Sequence, residues 1–312
     1  MALEICLVLG VNGQDGSYAA EKFIQKGYAV IGIGRQKHSK WLQETSTFKY
    51  IQVDLNCFDS VLSVLRKEAP DIIFNAAAVH GPANFSYESV WRDVQLVNVG
   101  LTHGILEYLR LEASSCFYMF LSSSKAFSSN ENSVLDEKSP RSGECIYSIT
   151  KNASTDLIKY YRLRYKLKAS VVWTFNHESP RRGKQFFVPK IVDILAKSIV
   201  DSTYKSTIYT LDFFCDWGDA EEFMEISTEI CERKISDDFI LATGKSIFAK
   251  EFVEKFFSNH GLSYRDHIDV SHTLGSPKYV VRAELSKLQS LIKKTPSLSV
   301  YEVAEKILAS RS

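Results

Sequence analysis

Apolar, β-branched runs of strand length alternate with stretches of helical period through the first half of the chain. Strands are predicted at residues 5–9, 29–33, 50–53, 72–75, 117–121 and 170–173, and helices at 17–26, 60–67, 94–111 and 146–165. Near-continuous apolar strands separated by amphipathic helices belong to a parallel sheet covered on both faces. The pattern therefore predicts an α/β fold of the doubly wound, Rossmann type. Beyond about residue 176 the rhythm loosens. A charged loop at 178–184 precedes a helix at 188–199, a strand at 206–211, a helix at 220–232 and a strand at 238–242. Helices at 249–260, 283–291 and 300–309 follow. The expected organisation is a dinucleotide-binding domain over 1–175 and a smaller C-terminal α/β substrate lobe over 176–312, part of which returns to the sheet.

The 312 residues, 45% of them hydrophobic, suffice for one large core and a smaller one. With 38 basic against 37 acidic residues the net charge is +1, so no global field draws the chain to nucleic acid or an anionic membrane. The run at 5–9 lacks a cationic leader and is too short for a signal peptide or a membrane span. Six scattered cysteines without a Cys-x-x-Cys pair predict neither a metal site nor a disulfide framework, and fit a reducing cytoplasm.

Chemistry enters at the first strand, which runs into Gly10-Val-Asn-Gly13-Gln-Asp-Gly16 and then a helix. Glycines there let the backbone approach a pyrophosphate while the helix N-terminus offers amide donors and a positive dipole. Glycines also close ordinary strand-to-helix turns, so placement carries the reading. Asn12, Gln14 and Asp15 in the turn, with Leu55 and Ala77 after the third and fourth strands, complete the expected cofactor contacts. The second strand ends at Arg35, where an acidic residue would grip a ribose hydroxyl. An arginine favours a 2′-phosphate and hence NADP(H), unless Gln36 or Lys37 makes that contact. Asp54 is placed either to accept from the adenine amino group or to cap the next helix.

Tyr147-Ser-Ile-Thr-Lys151 sets a phenol and an ammonium one helical turn apart. A lysine charge beside a phenol is expected to lower its pKa from about 10, giving a usable acid/base. Ser122-Ser123-Ser124, directly after the fifth strand, brings a hydroxyl to the sheet edge facing that helix.

The set of glycine turn, strand-end serine and Tyr-x-x-x-Lys resembles the extended short-chain dehydrogenase/reductases, and most closely the GDP-mannose 4,6-dehydratase family. The resemblance rests on Gly10-Val-Asn-Gly-Gln-Asp-Gly-Ser-Tyr18, Asn176-His-Glu-Ser-Pro-Arg-Arg-Gly183, Asp216-Trp-Gly218 and Ala242-Thr-Gly244. It implies that Ser123 holds the sugar O4, that Tyr147 is the acid/base, and that Lys151 binds the nicotinamide ribose. It further places Asn176 near the substrate diphosphate, Arg181 and Arg182 on nucleotide or cofactor phosphates, and Glu178 and Lys190 among the substrate contacts. Pairing into a homodimer or homotetramer through helices 94–111 and 146–165 is also implied.

Two departures matter. The dehydratases carry Ser-Thr-Ser-Glu after this strand, the glutamate taking the C5 proton before water leaves, whereas this chain has Ser122-Ser123-Ser124-Lys125. A protonated lysine cannot accept that proton. The family's arginine before Asp-Trp-Gly is Cys215 here. The expected function is an NADP(H)-dependent nucleotide-sugar enzyme, foremost a reductase of a GDP-4-keto-6-deoxyhexose, with Lys125 as an added site residue. The alternatives are a 4,6-dehydratase with a substituted base, and a catalytically silent dinucleotide-binding homologue.

Overall fold

The structure, a computed structural model, describes residues 3–82, 85–127, 133–274 and 280–311. Its strands are β1 (Ile5–Leu9), β2 (Ala29–Gly34), β3 (Phe48–Gln52), β4 (Ile72–Asn75), β5 (Phe117–Ser123), β6 (Val134–Leu135), β7 (Ala169–Thr174), β8 (Asn176–Glu178), β9 (Ser206–Ile208), β10 (Phe214–Asp219), β11 (Asp238–Leu241), β12 (Ser246–Phe248), β13 (Ile268–Val270) and β14 (Arg282–Ala283). Its α-helices are α1 (Gln14–Gln25), α2 (Phe58–Glu68), α3 (Trp91–Gln95), α4 (Leu101–Leu111), α5 (Ile146–Tyr165), α6 (Phe187–Val200), α7 (Ala220–Glu232), α8 (Ala249–Asn259), α9 (Tyr264–His267), α10 (Ser286–Ile292) and α11 (Val300–Ala309).

Seven strands form one parallel sheet in the order β11-β7-β5-β4-β1-β2-β3. This is the Rossmann fold, and the strand order reverses between β1 and β4, where a crevice opens at the carboxyl ends. Successive side chains feed opposite faces. Leu7, Leu9, Ile73, Tyr118 and Phe120 join one core with Leu65, Ile105 and Ile158 from α2, α4 and α5. Cys6, Val8, Phe74 and Met119 join the other with Phe23 and Phe223 from α1 and α7. A third core gathers Ile191, Trp217, Phe252, Phe256 and Val303 from α6, β10, α8 and α11. Although β11 lies late in the chain, it completes the main sheet beside β7. Among the described residues no helix is long and apolar enough to cross a membrane.

The structure departs from the periodicity at several places. Predicted helix 94–111 is interrupted by a π turn over Leu96–Gly100 between α3 and α4. The start of the predicted loop at 178 is strand β8, and β10 went unpredicted because Phe214-Cys-Asp-Trp-Gly-Asp219 has no alternation. Its polar residues are buried and met by tertiary partners. Asp216 accepts from the Thr243 amide and hydroxyl at 3.1 and 2.7 Å, while Asp219 caps α7 through the Glu222 amide and pairs with Lys306 at 3.0 Å. The last shift is at α10, which starts at Ser286 because Ala283 pairs in β14.

The glycine turn is the tightest point of the fold. Gly10 has φ +79°, and a Cβ there would stand 3.0 Å from the Ala77 Cα. A Cβ on Gly16 would fall 2.3 Å from the Gly10 carbonyl oxygen, so backbone would have to move. Gly16→Ala is expected to cost about 1–3 kcal/mol in urea unfolding and to weaken nicotinamide dinucleotide binding measured by calorimetry. Wild-type stability and affinity in that variant would contradict the close approach.

Candidate active site

The turn between β1 and α1 leaves α1 without a side-chain cap, since its N-cap is Gly13. Its first amides and the helix dipole therefore face the crevice at the switch point. These uncapped amide donors fit a dinucleotide pyrophosphate. Asp15 introduces a carboxylate here, and His177 Nε2 meets it at 2.9 Å. Burial alone would push Asp15 up, but His177 and Arg182 hold it well below the usual range. Burial likewise opposes protonation of His177, yet Asp15 raises that imidazole above its ordinary value. Gln14 ties the glycine turn to the 176–183 run, donating to the His177 carbonyl at 3.2 Å and accepting from Ser179 Oγ at 2.7 Å.

Asn12 serves as a strap. Its amide donates to Gln36 Oε1 at 2.9 Å and accepts from the Lys40 amide at 2.8 Å, and its carbonyl accepts from Trp41 Nε1 at 3.1 Å. This fixes the segment that carries exposed Arg35, Lys37 and Lys40 along the rim of the turn. Asp54, also exposed, makes a local turn with the Asn56 amide at 3.0 Å, and α2 is capped at Cys57, so the capping alternative for Asp54 does not hold. Leu55 packs on the core edge, and buried Ala77 faces Gly10.

A cavity of about 320 Å³ is lined by Gly13, Asp15, Ser123, Lys125, Tyr147, Lys151, Asn176, Arg181 and Arg182. Ser123 ends β5 and Tyr147 opens α5, whose capping box joins Cys145 and Ser148. The expected lowering of the Tyr147 phenol is reversed. Burial pushes it well up, against a lowering influence of Arg182 and of the Ser123 hydroxyl. Lys151 is turned away, donating to the Leu121 carbonyl at 2.7 Å and lying 5.8 Å from the Tyr147 ring centroid. Burial, against the raising influence of Asp15, brings Lys151 down to about 7. A phenol this well protonated is a proton donor over the physiological range.

The remaining predicted residues divide. Asn176 donates to Cys215 Sγ at 3.1 Å and stands, with Lys125 and Phe175, between this cavity and a second one of about 400 Å³. That second cavity includes Glu144, Cys215 and Asp216. Arg181 reaches the first cavity but is anchored to α1 through Ser17 at 2.9 Å and Glu21 at 2.6 Å. Arg182 lies 3.6 Å over the Phe186 ring, with its Nε 3.7 Å from the buried Glu178 carboxylate. Burial raises Glu178 to about 7, and it lines neither cavity. Lys190 is not brought to the site, because its ammonium donates to the Thr207 carbonyl at 2.9 Å. Sequence reasoning missed His80, His177 and Phe186 on the cavity wall. His177 sits inside the 176–183 run and was within reach, whereas His80 follows β4 with no spacing signal at all.

A parallel sheet in this order, a glycine turn at its switch point, and Ser123, Tyr147 and Lys151 at its carboxyl edge define the nicotinamide-dependent epimerase/dehydratase class of short-chain dehydrogenase/reductases. The chain belongs to the GDP-mannose 4,6 dehydratase family, which it matches over residues 7–295. It is 27% identical to GDP-mannose 4,6 dehydratase 2 of Caenorhabditis elegans, over 98% of this chain and 88% of that one. With the GDP-mannose 4,6-dehydratase of Vibrio cholerae the identity is 28%, over 80% of this chain and 70% of that one. Two solved structures share the fold across 98% of this chain. UDP-glucose 4-epimerase of Thermotoga maritima with UDP-glucose superposes with a TM-score of 0.84 at 17% identity over 97% of its length. dTDP-glucose 4,6-dehydratase of Bacillus anthracis in complex with NAD gives 0.83 at 16% over 96%.

Lys151 generates a prediction about stability. Its folded pKa, about 7, lies below the ordinary 10.5, so its contribution is fully present above pH 10.5 and is lost as pH falls through 7. Lys151→Met lacks this dependence. The stability of the variant relative to wild type should therefore decline between pH 7 and pH 9, by on the order of 2 kcal/mol in urea unfolding. An unchanged difference between the two pH values would contradict the buried, depressed lysine.

Proposed function

We propose that the chain is an NADP(H)-dependent reductase of a nucleotide-linked 4-keto sugar, with a GDP-4-keto-6-deoxyhexose as its substrate. One observation carries the reading. Among the described residues lining the reaction cavity the only carboxylate is Asp15, and it is committed to His177. Lys125 lines that cavity where the family resemblance places the eliminating glutamate. A cavity equipped to give a proton, without a carboxylate free to take one from carbon, suits reduction at a carbonyl.

The dinucleotide, when bound, supplies the hydride. Tyr147, kept protonated by burial, gives its proton to the sugar O4, and Ser123 holds that oxygen and then the phenolate. Arg182 contributes the nearby positive charge that lowers the cost of the phenolate. Lys151 anchors the first turns of α5 to β5 and lines the floor for the nicotinamide ribose. Lys125 and Asn176, shared by the two cavities, are read as contacts to the anionic or polar part of the nucleotide sugar. The rim of Arg35, Lys37 and Lys40 supports the phosphorylated dinucleotide over NAD(H). Exposed Ile149, Tyr160 and Leu163 on α5 support pairing of two chains through this helix.

The relatives' names favour a second reading, 4,6-dehydration, with the base drawn from Glu144 or Asp216 of the second cavity. The two are separated by incubating the protein with GDP-mannose, and separately with GDP-4-keto-6-deoxymannose plus NADPH. The expected result is no loss of water from GDP-mannose and NADPH consumption with the keto sugar, reduced about 10²-fold or more in Tyr147→Phe. Efficient dehydration of GDP-mannose would replace the first reading with the second.

Cofactor choice is tested by calorimetric titration. Wild type should favour NADP(H), and Arg35→Ala should weaken it by about 1.5–3 kcal/mol, the loss of one charge-assisted contact, with NAD(H) nearly unaffected. Equal wild-type affinities would remove the assignment to Arg35.

A further inference from the structure

Tyr147 has an aromatic neighbour outside the Ser/Tyr/Lys set. The His80 ring lies 4.3 Å from the Tyr147 ring at a tilt of 32°, and it forms part of the wall that holds Ser123 and Lys125. Its backbone is fixed from within the π turn. There, buried Asn98 accepts from the Val79 amide at 2.8 Å and donates to the Val79 carbonyl at 3.2 Å. The same amide reaches Thr150 Oγ1 at 3.3 Å, and Thr150 Oγ1 donates to the Tyr147 carbonyl at 2.9 Å. One side chain thus ties the His80 loop to the turn of α5 that carries Tyr147. A π turn is a frequent device for presenting such a group at a functional site.

The tautomer of His80 follows from its partners. Nδ1 stands 2.7 Å from Oη of the buried Tyr87. A buried hydroxyl proton needs an acceptor, and among the described residues Nδ1 is the one within hydrogen-bond distance of Tyr87 Oη, so the hydroxyl donates to Nδ1. Burial, followed by the charges of Arg182, Lys125 and Lys151, brings the imidazole down to about 3. The ring is therefore neutral in the physiological range, and its single proton belongs on Nε2.

The geometry points to His80 as a substrate-positioning residue, a donor fixed as Nε2–H by Tyr87 that hydrogen-bonds a hydroxyl or keto oxygen of the sugar beside the carbon facing Tyr147. This assignment rests on the reading of the cavity as the hydride-transfer site. It gives that cavity a second oxygen-directed donor, set by a tyrosine and not by a carboxylate. Such a donor holds an oxygen without adding charge.

Two measurements test it. Imidazole ¹⁵N NMR on histidine-labelled protein, with His80→Gln to assign the signal, should show one Nε2–H tautomer unchanged from pH 5 to 8. The signal should move on addition of GDP-mannose, and in Tyr87→Phe it should become a mixture of tautomers. In kinetics with GDP-4-keto-6-deoxymannose and NADPH, His80→Ala should lower kcat/KM for the sugar about 5- to 10-fold, the size of one neutral hydrogen bond. The NADPH KM should stay unchanged, and His80→Gln should recover most of the loss through its own N–H. An Nδ1–H tautomer, or Ala and Gln variants equal to wild type for the sugar, would overturn the assignment. If wild type does not reduce the keto sugar, the functional reading fails and NMR alone decides His80. A shift with GDP-mannose then sustains the contact, and no shift removes it.

Discussion

The site is organised around one buried lysine. Lys151 is taken out of water in the second turn of α5 and finds a single strong acceptor, the Leu121 carbonyl near the end of β5. Burial outweighs the favourable influence of Asp15, so its charge is disfavoured and its position is dictated by that carbonyl. The bond locks the helix bearing Tyr147 to the strand bearing Ser123. The phenol and the hydroxyl can then meet only with β5 and α5 in their native register. The geometry of the pair is thus inherited from a lysine that does not itself touch the phenol.

Charge is distributed unevenly around that point. On the dinucleotide side the Asp15 carboxylate is engaged by His177, leaving uncapped helix amides and an exposed basic rim to meet an anion. On the sugar side Lys125 stands between two cavities, close enough to add to the depression of His80 that burial sets. Cys215 is held by Asn176, and its burial pushes the thiol well above the usual range, so it is an inert wall. Relative to the dehydratase pattern, a carboxylate has become a cation and a cation has become a neutral thiol.

Asn98 and Gln14 show how neutral amides maintain this arrangement. Each is buried with donors and acceptors matched, one linking the β4 loop to α5 and the other linking the glycine turn to the 176–183 run. A buried amide without such partners would be costly, so each fixes its segments with little freedom. Glu178 and Arg182 are less well matched, since the closest approach of their buried atoms is 3.7 Å.

The sequence by itself determined the strand–helix alternation, the parallel sheet, the glycine turn and the Ser123/Tyr147/Lys151 set. Each is a local pattern, in which period, glycine placement or one helical turn places the residues without reference to the rest of the chain. It also contained the Lys125 and Cys215 departures, visible as single letters inside family motifs. Tertiary structure alone decided what those residues experience. The phenol rises instead of falling because burial outweighs a lysine that faces a carbonyl, and burial depends on what packs from distant elements. Lys190 left the site because Thr207, on a separate strand, supplied a better acceptor. His80 entered it because a π turn and Tyr87 held it there, through contacts that no spacing in the chain encodes. Strand β10 was illegible for the same reason, its buried aspartates being stable only against Thr243 and Lys306.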